Sequence, residues 1–496
     1  MTTYLMWLLP PVVIAVAIAS GRLNTTFAAL LGLIVAIPVA SLTGPAPFAG
    51  SNLLQALARG LWIGSTIAPY IVGGLLFWQV AIREASPGAL GALPAGSRHP
   101  VDGPESMRAR RRLLFFACFL IGPFAESATG FGVGMLGTVA LLRNFKLAPH
   151  QLMVFALLSQ TLIPWGAMGS GTMLAAAYAR IPAADLGLYA TIPVALLMLI
   201  WLPLFWRTAR QAQMPASFAE CAGEACWMVS GLALLAVATA CLGPETALLA
   251  AFGPLIVLRY IRDTQPDRPQ LIATTRRVLP FMALIGGLVL TRLVPGLKES
   301  LTTLGKVAPF GDLPAWSPLF HAGSWLIVGS ILTSAWRGHA QRLPLELHCA
   351  WATGKNAVLT VFLFAMMAEV LSMAGISQAF AEGMFTTLNA GAVLLTPLVA
   401  GAFGILANSG NAPNSLFMPS QVALAVQAGL SIPAIAALLH VSGTSMSLFS
   451  PVRMSIAASL ATATGQERKA YGVVLPYAIA GFALLMLMAI GVVLAR

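Results

Sequence analysis

Residues 122–134 read G-P-F-A-E-S-A-T-G-F-G-V-G, and this stretch decides how the rest of the sequence is interpreted. It lies inside an apolar run, yet it contains four glycines, a proline and, at its centre, the carboxyl group of Glu126. An ionisable residue inside a membrane is costly and by default marks a functional site. Glycine and proline at membrane depth are tolerated where protein or a water-filled cavity satisfies the freed backbone. The stretch predicts a broken helix with a buried acid at the break, or else a kinked helix whose acid is satisfied internally.

The composition places the whole chain in a membrane. Of its 496 residues, 58% are hydrophobic and 9% are charged, and many stretches reach the ~20 apolar residues that a spanning helix requires. The net charge of +12 comes from Lys and Arg in short loops, which is the positive-inside pattern and not a nucleic-acid-binding surface. The five cysteines have no metal-binding spacing. The first apolar run has no basic residue before it, so we expect a retained membrane helix and no cleaved signal.

Apolar runs predict about twelve transmembrane helices. They lie at residues 4–20, 25–43, 60–82, 151–168, 188–206, 225–242, 244–259, 278–294, 321–336, 355–374, 430–448 and 473–494. Arginine-rich segments at 83–112 and 259–277 mark cytoplasmic loops. An even number of crossings must separate these loops, and the four runs between them already satisfy that condition. Residues 113–142 are therefore predicted to form a re-entrant hairpin that enters and leaves on the cytoplasmic side.

The same reasoning predicts a second hairpin at residues 389–428, entered from the opposite side. The fold class is thus an all-α polytopic membrane protein with about twelve transmembrane helices plus two oppositely oriented re-entrant hairpins in inverted repeats. Residues 1–258 form the first membrane half, 259–277 a cytoplasmic linker and 278–496 the second half. The N-terminus is predicted to be periplasmic, because three crossings precede the first cytoplasmic loop.

Each hairpin is followed by a second polar, glycine-rich break, at residues 164–172 and 442–451. Paired breaks in two inverted halves are the best sequence indicator of a transporter's midplane site. A helix that begins inside the membrane presents free N–H groups and a positive dipole end to an anion. The substrate-binding candidates at the breaks are Ser127, Thr129, Gly130, Phe131, Gly132, Asn408, Ser409, Asn411, Asn414, Ser442, Gly443, Thr444 and Ser447. The structural alternative is that these residues cap the broken helices and bind nothing.

Four ionisable residues need separate interpretation. Glu126 is the candidate proton carrier, because burial disfavours the charged form of a carboxyl group and lets it load and release a proton. Arg453 is either a counter-charge for an anionic substrate or a positive-inside residue at a helix end. Glu369 is a second candidate acid that we expect to be paired structurally, and His440 is expected to be a packed, hydrogen-bonded core histidine.

Several motifs are absent from the sequence. It has no G-x-x-x-x-G-K-[ST] phosphate loop, no H-E-x-x-H helix and no aspartate-rich motif for Mg²⁺-diphosphate. We therefore expect neither ATP drive nor enzymatic activity, and no metal or other cofactor.

Three motifs resemble the lactate permease family of bacterial proton-coupled 2-hydroxymonocarboxylate carriers. Residues 124–132, F-A-E-S-A-T-G-F-G, are similar to that family's E-G-A-x-G-F-G signature. Residues 414–421 fit N-x-L-F-x-x-x-Q, and residues 450–458 follow an S-P-x-x-x-A-I-A-like pattern. Their order and spacing agree over most of the chain. The resemblance implies proton-coupled symport of lactate or glycolate across a bacterial inner membrane, with the anion, the proton and the bilayer as partners and no nucleic acid.

The sequence also departs from that family. Gly410 stands where the family has an aspartate, and Met446-Ser447 replace a G-K dipeptide, so an acid and a base are lost together. Arg453, where the family usually has a small polar residue, could restore the positive charge. One alternative is a sodium-coupled carrier of a related organic anion, with Asn411 and Asn414 as ligands. A membrane enzyme or receptor is disfavoured by the missing motifs, and the sequence leaves the preferred anion and a homodimer open.

Overall fold

The computed structural model describes residues 2–82, 104–130 and 132–495. The predicted site residue Phe131 and most of the predicted cytoplasmic loop at 83–112 lie outside these ranges. The first eleven α-helices are α1 (Thr2–Ala19), α2 (Thr25–Thr43), α3 (Gly50–Ile82), α4 (Pro104–Phe116), α5 (Gly122–Thr129), α6 (Val133–Leu142), α7 (Pro149–Leu158), α8 (Gly166–Ala179), α9 (Ala183–Gln211), α10 (Phe218–Leu242) and α11 (Pro244–Thr264).

The remaining helices carry the chain to its C-terminal end. They are α12 (Arg268–Leu293), α13 (Pro295–Thr303), α14 (Ala322–Trp336), α15 (Leu343–Met373), α16 (Ile376–Leu388), α17 (Leu395–Ala407), α18 (Asn411–Ala428), α19 (Ile432–Met446), α20 (Pro451–Leu460) and α21 (Glu467–Leu494). Within the described ranges the only β-structure is an isolated antiparallel bridge between Val307 and Trp316.

The predicted fold class is confirmed, because within the described ranges 12 helices are long and apolar enough to cross a membrane. Ten of them match predicted runs, but two do not. The predicted run at 151–168 belongs to a helix pair bent by 60°, and the run at 321–336 is a helix of only 15 residues. The two candidate spans without a predicted run are Met107–Thr129 and Ile376–Ala407, and each contains an arm of a hairpin.

The first hairpin consists of an arm formed by α4 and α5 and a returning arm formed by α6. Arg110 donates a hydrogen bond to the carbonyl of Phe145 and lies 5.1 Å from the centre of its ring. Closer to the tip, the Thr138 hydroxyl donates to the carbonyl of Ala117 at 3.1 Å. The two arms are therefore antiparallel, and the chain reverses between α5 and α6.

The incoming arm is longer and more continuous than the glycines and proline suggested. A π-helical turn, Ala117–Ile121, joins α4 to α5, and the Gly122 N–H donates to the carbonyl of Ala117. Pro123 then occupies the first turn of α5, where its missing N–H breaks no helical hydrogen bond. Glu126 consequently lies inside α5, one turn before the reversal, and not at the helix break as predicted.

The second hairpin reverses at residues 408–410, between α17 and α18. Thr396 donates to Gln421 at 2.5 Å, and the rings of Phe403 and Phe417 lie 5.1 Å apart, so these arms are also antiparallel. A 3-10 segment joins α16 to α17 into one apolar unit that begins at Ile376 and not near residue 389.

The helices after the two hairpins are broken, and those of one half pack against those of the other. Between α7 and α8 the chain bends by 60°, and Ala167, Met168 and Gly169 have left-handed backbone angles. In the second half, a 3-10 turn and Ser450 separate α19 from α20. Helix α7 packs against α20, and α8 packs against α19. The breaks of the two halves are thereby brought to the same region of the molecule.

Outside this region, α3 packs along α15 and α14. Gly60 on α3 permits the close approach, because a Cβ atom there would lie 2.5 Å from the backbone nitrogen of Met366. Helices α3 and α15 form a wall beside the hairpins, and α15 also contacts α18.

Candidate functional site

The centre of the candidate site is the carboxyl group of Glu126, which is only 6% exposed. Gly130 and Gly132 have φ values of 74° and 79°, which glycine adopts without steric cost. This reversal points the start of α6 back at α5. The N–H of Gly132 lies 3.3 Å from Oε1 of Glu126, and the N–H of Gly134 lies 3.2 Å from Oε2. The free helix N-terminus predicted for a substrate is therefore occupied by the protein's own carboxyl group.

Glu126 is connected to the second half of the chain through Gln160. The Gln160 amide donates from Nε2 to Oε2 of Glu126 at 3.0 Å. Its Oε1 accepts a hydrogen bond from Nη1 of Arg453 at 2.9 Å. Arg453 in turn donates from Nε to Oδ1 of Asn408 at 3.1 Å. A continuous chain of hydrogen bonds thus joins α5, the break after α7, the start of α20 and the tip of the second hairpin.

The orientation of the Gln160 amide follows from its two neighbours. An ionised carboxylate only accepts hydrogen bonds and a guanidinium only donates them. The NH₂ group must therefore face Glu126, and the carbonyl oxygen must face Arg453. Gln160 is 1% exposed, so water does not compete for either contact. With Glu126 ionised, this geometry holds a negative and a positive charge apart by one neutral amide.

Gln160 was not predicted from the sequence. It lies in the polar triplet Ser159-Gln160-Thr161, which interrupts an otherwise apolar run just before Pro164. That triplet was the available signal. The predicted break at 164–172 begins several residues later than the break that the structure shows, since α7 already ends at Leu158.

A second polar cluster surrounds His440, which is completely buried. Thr172 donates to the carbonyl of Pro164 at 2.6 Å, so its oxygen accepts from Nε2 of His440 at 2.9 Å. The other ring nitrogen, Nδ1, then accepts from Nδ2 of Asn414 at 3.0 Å, and the same Nδ2 lies 3.2 Å from the carbonyl of Gly171. This network assigns the Nε2–H tautomer. His440 is the packed, hydrogen-bonded residue that was expected.

Several predicted substrate ligands use their side chains to satisfy the broken backbone. Ser127 donates to the carbonyl of Trp165 at 2.9 Å, and Thr129 donates to the carbonyl of Ala125 at the same distance. Ser409 accepts from the N–H of Asn411 at 3.1 Å. These contacts match the structural alternative, in which the polar residues cap helix ends.

The α19 candidates also lie among helix backbones. Thr444 donates to the carbonyl of His440, and Ser447 donates to that of Thr444, both at 2.6 Å. Gly443 lies directly against Gly404 of the second hairpin. The Ser442 hydroxyl is buried and has no hydrogen-bond partner among the described residues. Of the predicted ligands, the structure thus brings Gly132, Asn408 and Arg453 into the chain around Glu126, and Asn414 into the His440 cluster.

The space beside Gly410 explains why no acid stands there. A Cβ atom on Gly410 would overlap Cγ2 of Thr444 and would lie 3.1 Å from its Cα. The close contact between the hairpin tip and α19 therefore excludes any larger residue in this arrangement. The positive charge near the tip of the second hairpin is that of Arg453. Its guanidinium donates to Asn408, which lies two residues before Gly410.

A separate ionic network involves Glu369, the second candidate acid. Its Oε2 accepts from Nε of Arg59 at 2.6 Å, and its Oε1 lies 3.5 Å from Arg180. Both arginines also contact Asp312 in the segment before α14, at 2.6 Å and 2.8 Å. Glu369 is thus paired structurally, as expected, and the network ties α3, α8 and α15 to one loop.

No group of three or more His, Cys, Asp or Glu residues suited to a metal ion occurs within the described ranges. Comparison of the sequence with protein-family models and with curated proteins found no match.

Proposed function

We propose that the protein is a secondary active transporter that carries a small 2-hydroxymonocarboxylate, such as lactate or glycolate, together with a proton. The observation that carries this proposal is the link between Glu126 and Arg453 through the single amide of Gln160. One group can take up a proton and the other can bind an anion. They come from opposite halves of a multi-pass membrane protein, at the place where four chain breaks meet.

The charge balance of this site favours symport. With Glu126 ionised, its negative charge offsets the positive charge of Arg453, so an anion gains little by entering. When Glu126 is protonated, the site carries a net positive charge and attracts an anion. A buried site that must remain close to neutral binds the proton and the anion together. Their binding is coupled, and by thermodynamic linkage each raises the affinity for the other equally.

The substrate class rests on two further features. A guanidinium can bind a carboxylate through two parallel hydrogen bonds, which suits a monocarboxylate. Uncharged donors and acceptors close to it, including Asn408, could recognise a hydroxyl group beside that carboxylate. The sequence resemblance to the lactate permease family supports the same class of substrate.

The transport cycle would alternate the access of this site between the two sides of the membrane. The hairpins and the broken helices α7, α8, α19 and α20 would move as one group against the wall formed by α3 and α15. The proposal includes a bacterial inner membrane as the location, a periplasmic N-terminus and transport instead of catalysis. It involves no cofactor.

Uptake into proteoliposomes tests the proposal. Labelled lactate should accumulate when the outside is made acidic, with or without Na⁺, and unlabelled glycolate should compete. Empty liposomes give the background. Uptake that requires Na⁺ and ignores the pH gradient would instead establish the sodium-coupled carrier, and absence of competition by any 2-hydroxymonocarboxylate would reject the substrate class.

A further inference from the structure

Gln160 lies between the two charged groups of the candidate site. It is buried, and both ends of its amide contact charged groups, Glu126 on one side and Arg453 on the other. The contact with Arg453 joins residues 293 positions apart. The amide is therefore the direct physical connection between the candidate proton site and the candidate anion site.

We propose that Gln160 is the coupling residue of the transporter, because reversal of its side-chain amide transmits the protonation state of Glu126 to Arg453. This inference rests on the proposed function and specifies how its two sites communicate. With Glu126 ionised, the amide oxygen accepts from Nη1 of Arg453 and so occupies a donor that a substrate carboxylate would use. The anion site is closed in this state.

Protonation changes what Glu126 offers to its neighbour. A proton from the aqueous side binds Oε2, and this oxygen then becomes a donor that faces the Gln160 NH₂ group. Two donors facing each other are unfavourable, and rotation of the amide by half a turn resolves the conflict. Its oxygen then accepts from the new O–H group. The NH₂ group now faces Arg453, so the conflict between two donors moves to that side. A substrate carboxylate relieves it by accepting from both the Gln160 NH₂ group and the Arg453 N–H group.

The stoichiometry follows from this geometry. One proton on one carboxyl group releases one guanidinium donor, so one proton accompanies one monovalent anion. The hydrogen bonds of Gln160 connect Glu126 to one charged group, Arg453. The backbone N–H groups of Gly132 and Gly134 hold the carboxyl group in place during the change, because they contact both of its oxygens.

A double-mutant cycle on anion binding distinguishes this relay from simple attraction through space. Lactate affinity is measured on purified protein at a pH above the midpoint of the wild-type pH dependence. Glu126→Gln mimics the protonated acid and should strengthen binding by about tenfold, within the usual range of couplings between sites. In a chain that also carries Gln160→Met, the same Glu126→Gln change should strengthen binding by less than about threefold. An equal gain in both backgrounds would overturn the relay.

A substitution on α7, the helix that immediately precedes Gln160, serves as the control. Gln151 lies at the start of α7, where its side chain contacts the carbonyl of Gln211 near the surface. Gln151→Met should leave the full gain from Glu126→Gln in place. Loss of the gain in this variant too would show that any change on α7 disturbs the site, and would contradict a specific role for Gln160.

Infrared difference spectroscopy tests the relay without any anion. Acidification of the wild-type protein should produce the band of a protonated carboxyl group that is absent in Glu126→Gln. The same spectrum should show a shifted side-chain amide carbonyl band that is absent in Gln160→Met. A carboxyl band without the amide shift would overturn the inference. If this shift is present but no 2-hydroxymonocarboxylate binds at any pH, the relay stands and the proposed substrate class fails.

Discussion

The Thr172 hydroxyl lies 2.9 Å from Nε2 of His440, and this contact joins α8 in the first half of the chain to α19 in the second. Thr172→Val would remove the acceptor from a buried ring N–H, at a cost of about 1–3 kcal/mol. We expect a lower melting temperature of the purified protein in detergent. Thr191→Val on the outside of α9 should leave it unchanged, because the Thr191 hydroxyl is exposed and contacts only its own helix. Equal melting temperatures for the two variants would contradict the role of this contact.

The close contact between Gly410 and Thr444 predicts that one substitution lowers the stability of the protein and a second substitution partly restores it. Gly410→Ala should destabilise the protein by about 1–3 kcal/mol, because the added methyl group overlaps the Thr444 side chain. Thr444→Ser removes the overlapping methyl group and retains the hydroxyl that donates to the carbonyl of His440. The double variant should therefore recover part of the lost stability. If Thr444→Ser adds its own loss to that of Gly410→Ala, the steric explanation is wrong.

A buried ion pair beside the first hairpin gives a larger expected effect. Arg111 contacts both oxygens of Glu224, at 2.9 and 2.8 Å, and both side chains are almost fully buried. Arg111→Met leaves the Glu224 charge without its partner and should cost about 3–5 kcal/mol. Adding Glu224→Gln to the same chain should recover much of this loss in thermal or denaturant unfolding. Arg112→Met is the control, since about half of the Arg112 side chain is exposed.

Either of two results would contradict the stabilising role of the Arg111–Glu224 ion pair. Arg111→Met could match the Arg112→Met control in stability, or the double variant could be less stable than Arg111→Met alone. Both outcomes would mean that the Glu224 charge is satisfied by other groups, among which the ring N–H of Trp206 is the nearest candidate at 2.8 Å.

The network around Asp312 predicts a pH dependence with a definite sign. Hydrogen bonds from Arg59 and the charge of Arg180 lower the pKa of Asp312 from 3.8 to about 2. Because the folded-state pKa is the lower one, the network stabilises the fold above pH 3.8, and this contribution is lost as the pH falls through about 2. The Asp312 side chain is 56% exposed, so solvent screening keeps the contribution below about 1 kcal/mol.

Melting temperatures of wild-type protein and Asp312→Asn should therefore differ slightly at neutral pH. The difference should persist down to about pH 4 and shrink below it, since only the wild-type residue titrates there. A difference that disappears between about pH 7 and pH 5 would contradict the lowered pKa.

Parts of this architecture follow from local sequence, and parts do not. Gly130 and Gly132 beside an acid in an apolar run predict a break in the helix, and the number of crossings between the basic loops predicts that the chain reverses there. The structure places both glycines at positive φ, which glycine adopts without strain. The continuity of the helical arm through Pro123 cannot be predicted from the same stretch of sequence. It depends on the π-helical turn before the proline, which repositions the helical hydrogen bonds.

The candidate site shows the same division. The buried acid at residue 126 and the arginine at 453 stand out as isolated charges in apolar surroundings, but their connection does not. It depends on how α7 packs against α20, and this contact brings together residues 293 positions apart. Some of the hydroxyl groups predicted as ligands, such as those of Ser127 and Ser409, make hydrogen bonds to nearby backbone groups, because broken helices leave backbone groups unpaired at their ends.

Transport by the Glu126→Gln variant in proteoliposomes tests the central claim most directly. With the exchangeable proton removed, labelled lactate should still exchange against unlabelled lactate, but a pH gradient should no longer drive its accumulation. Glu382→Gln, at an exposed position on α16, should behave as wild type in both assays. Accumulation by Glu126→Gln to the wild-type level under the same gradient would show that Glu126 does not carry the proton.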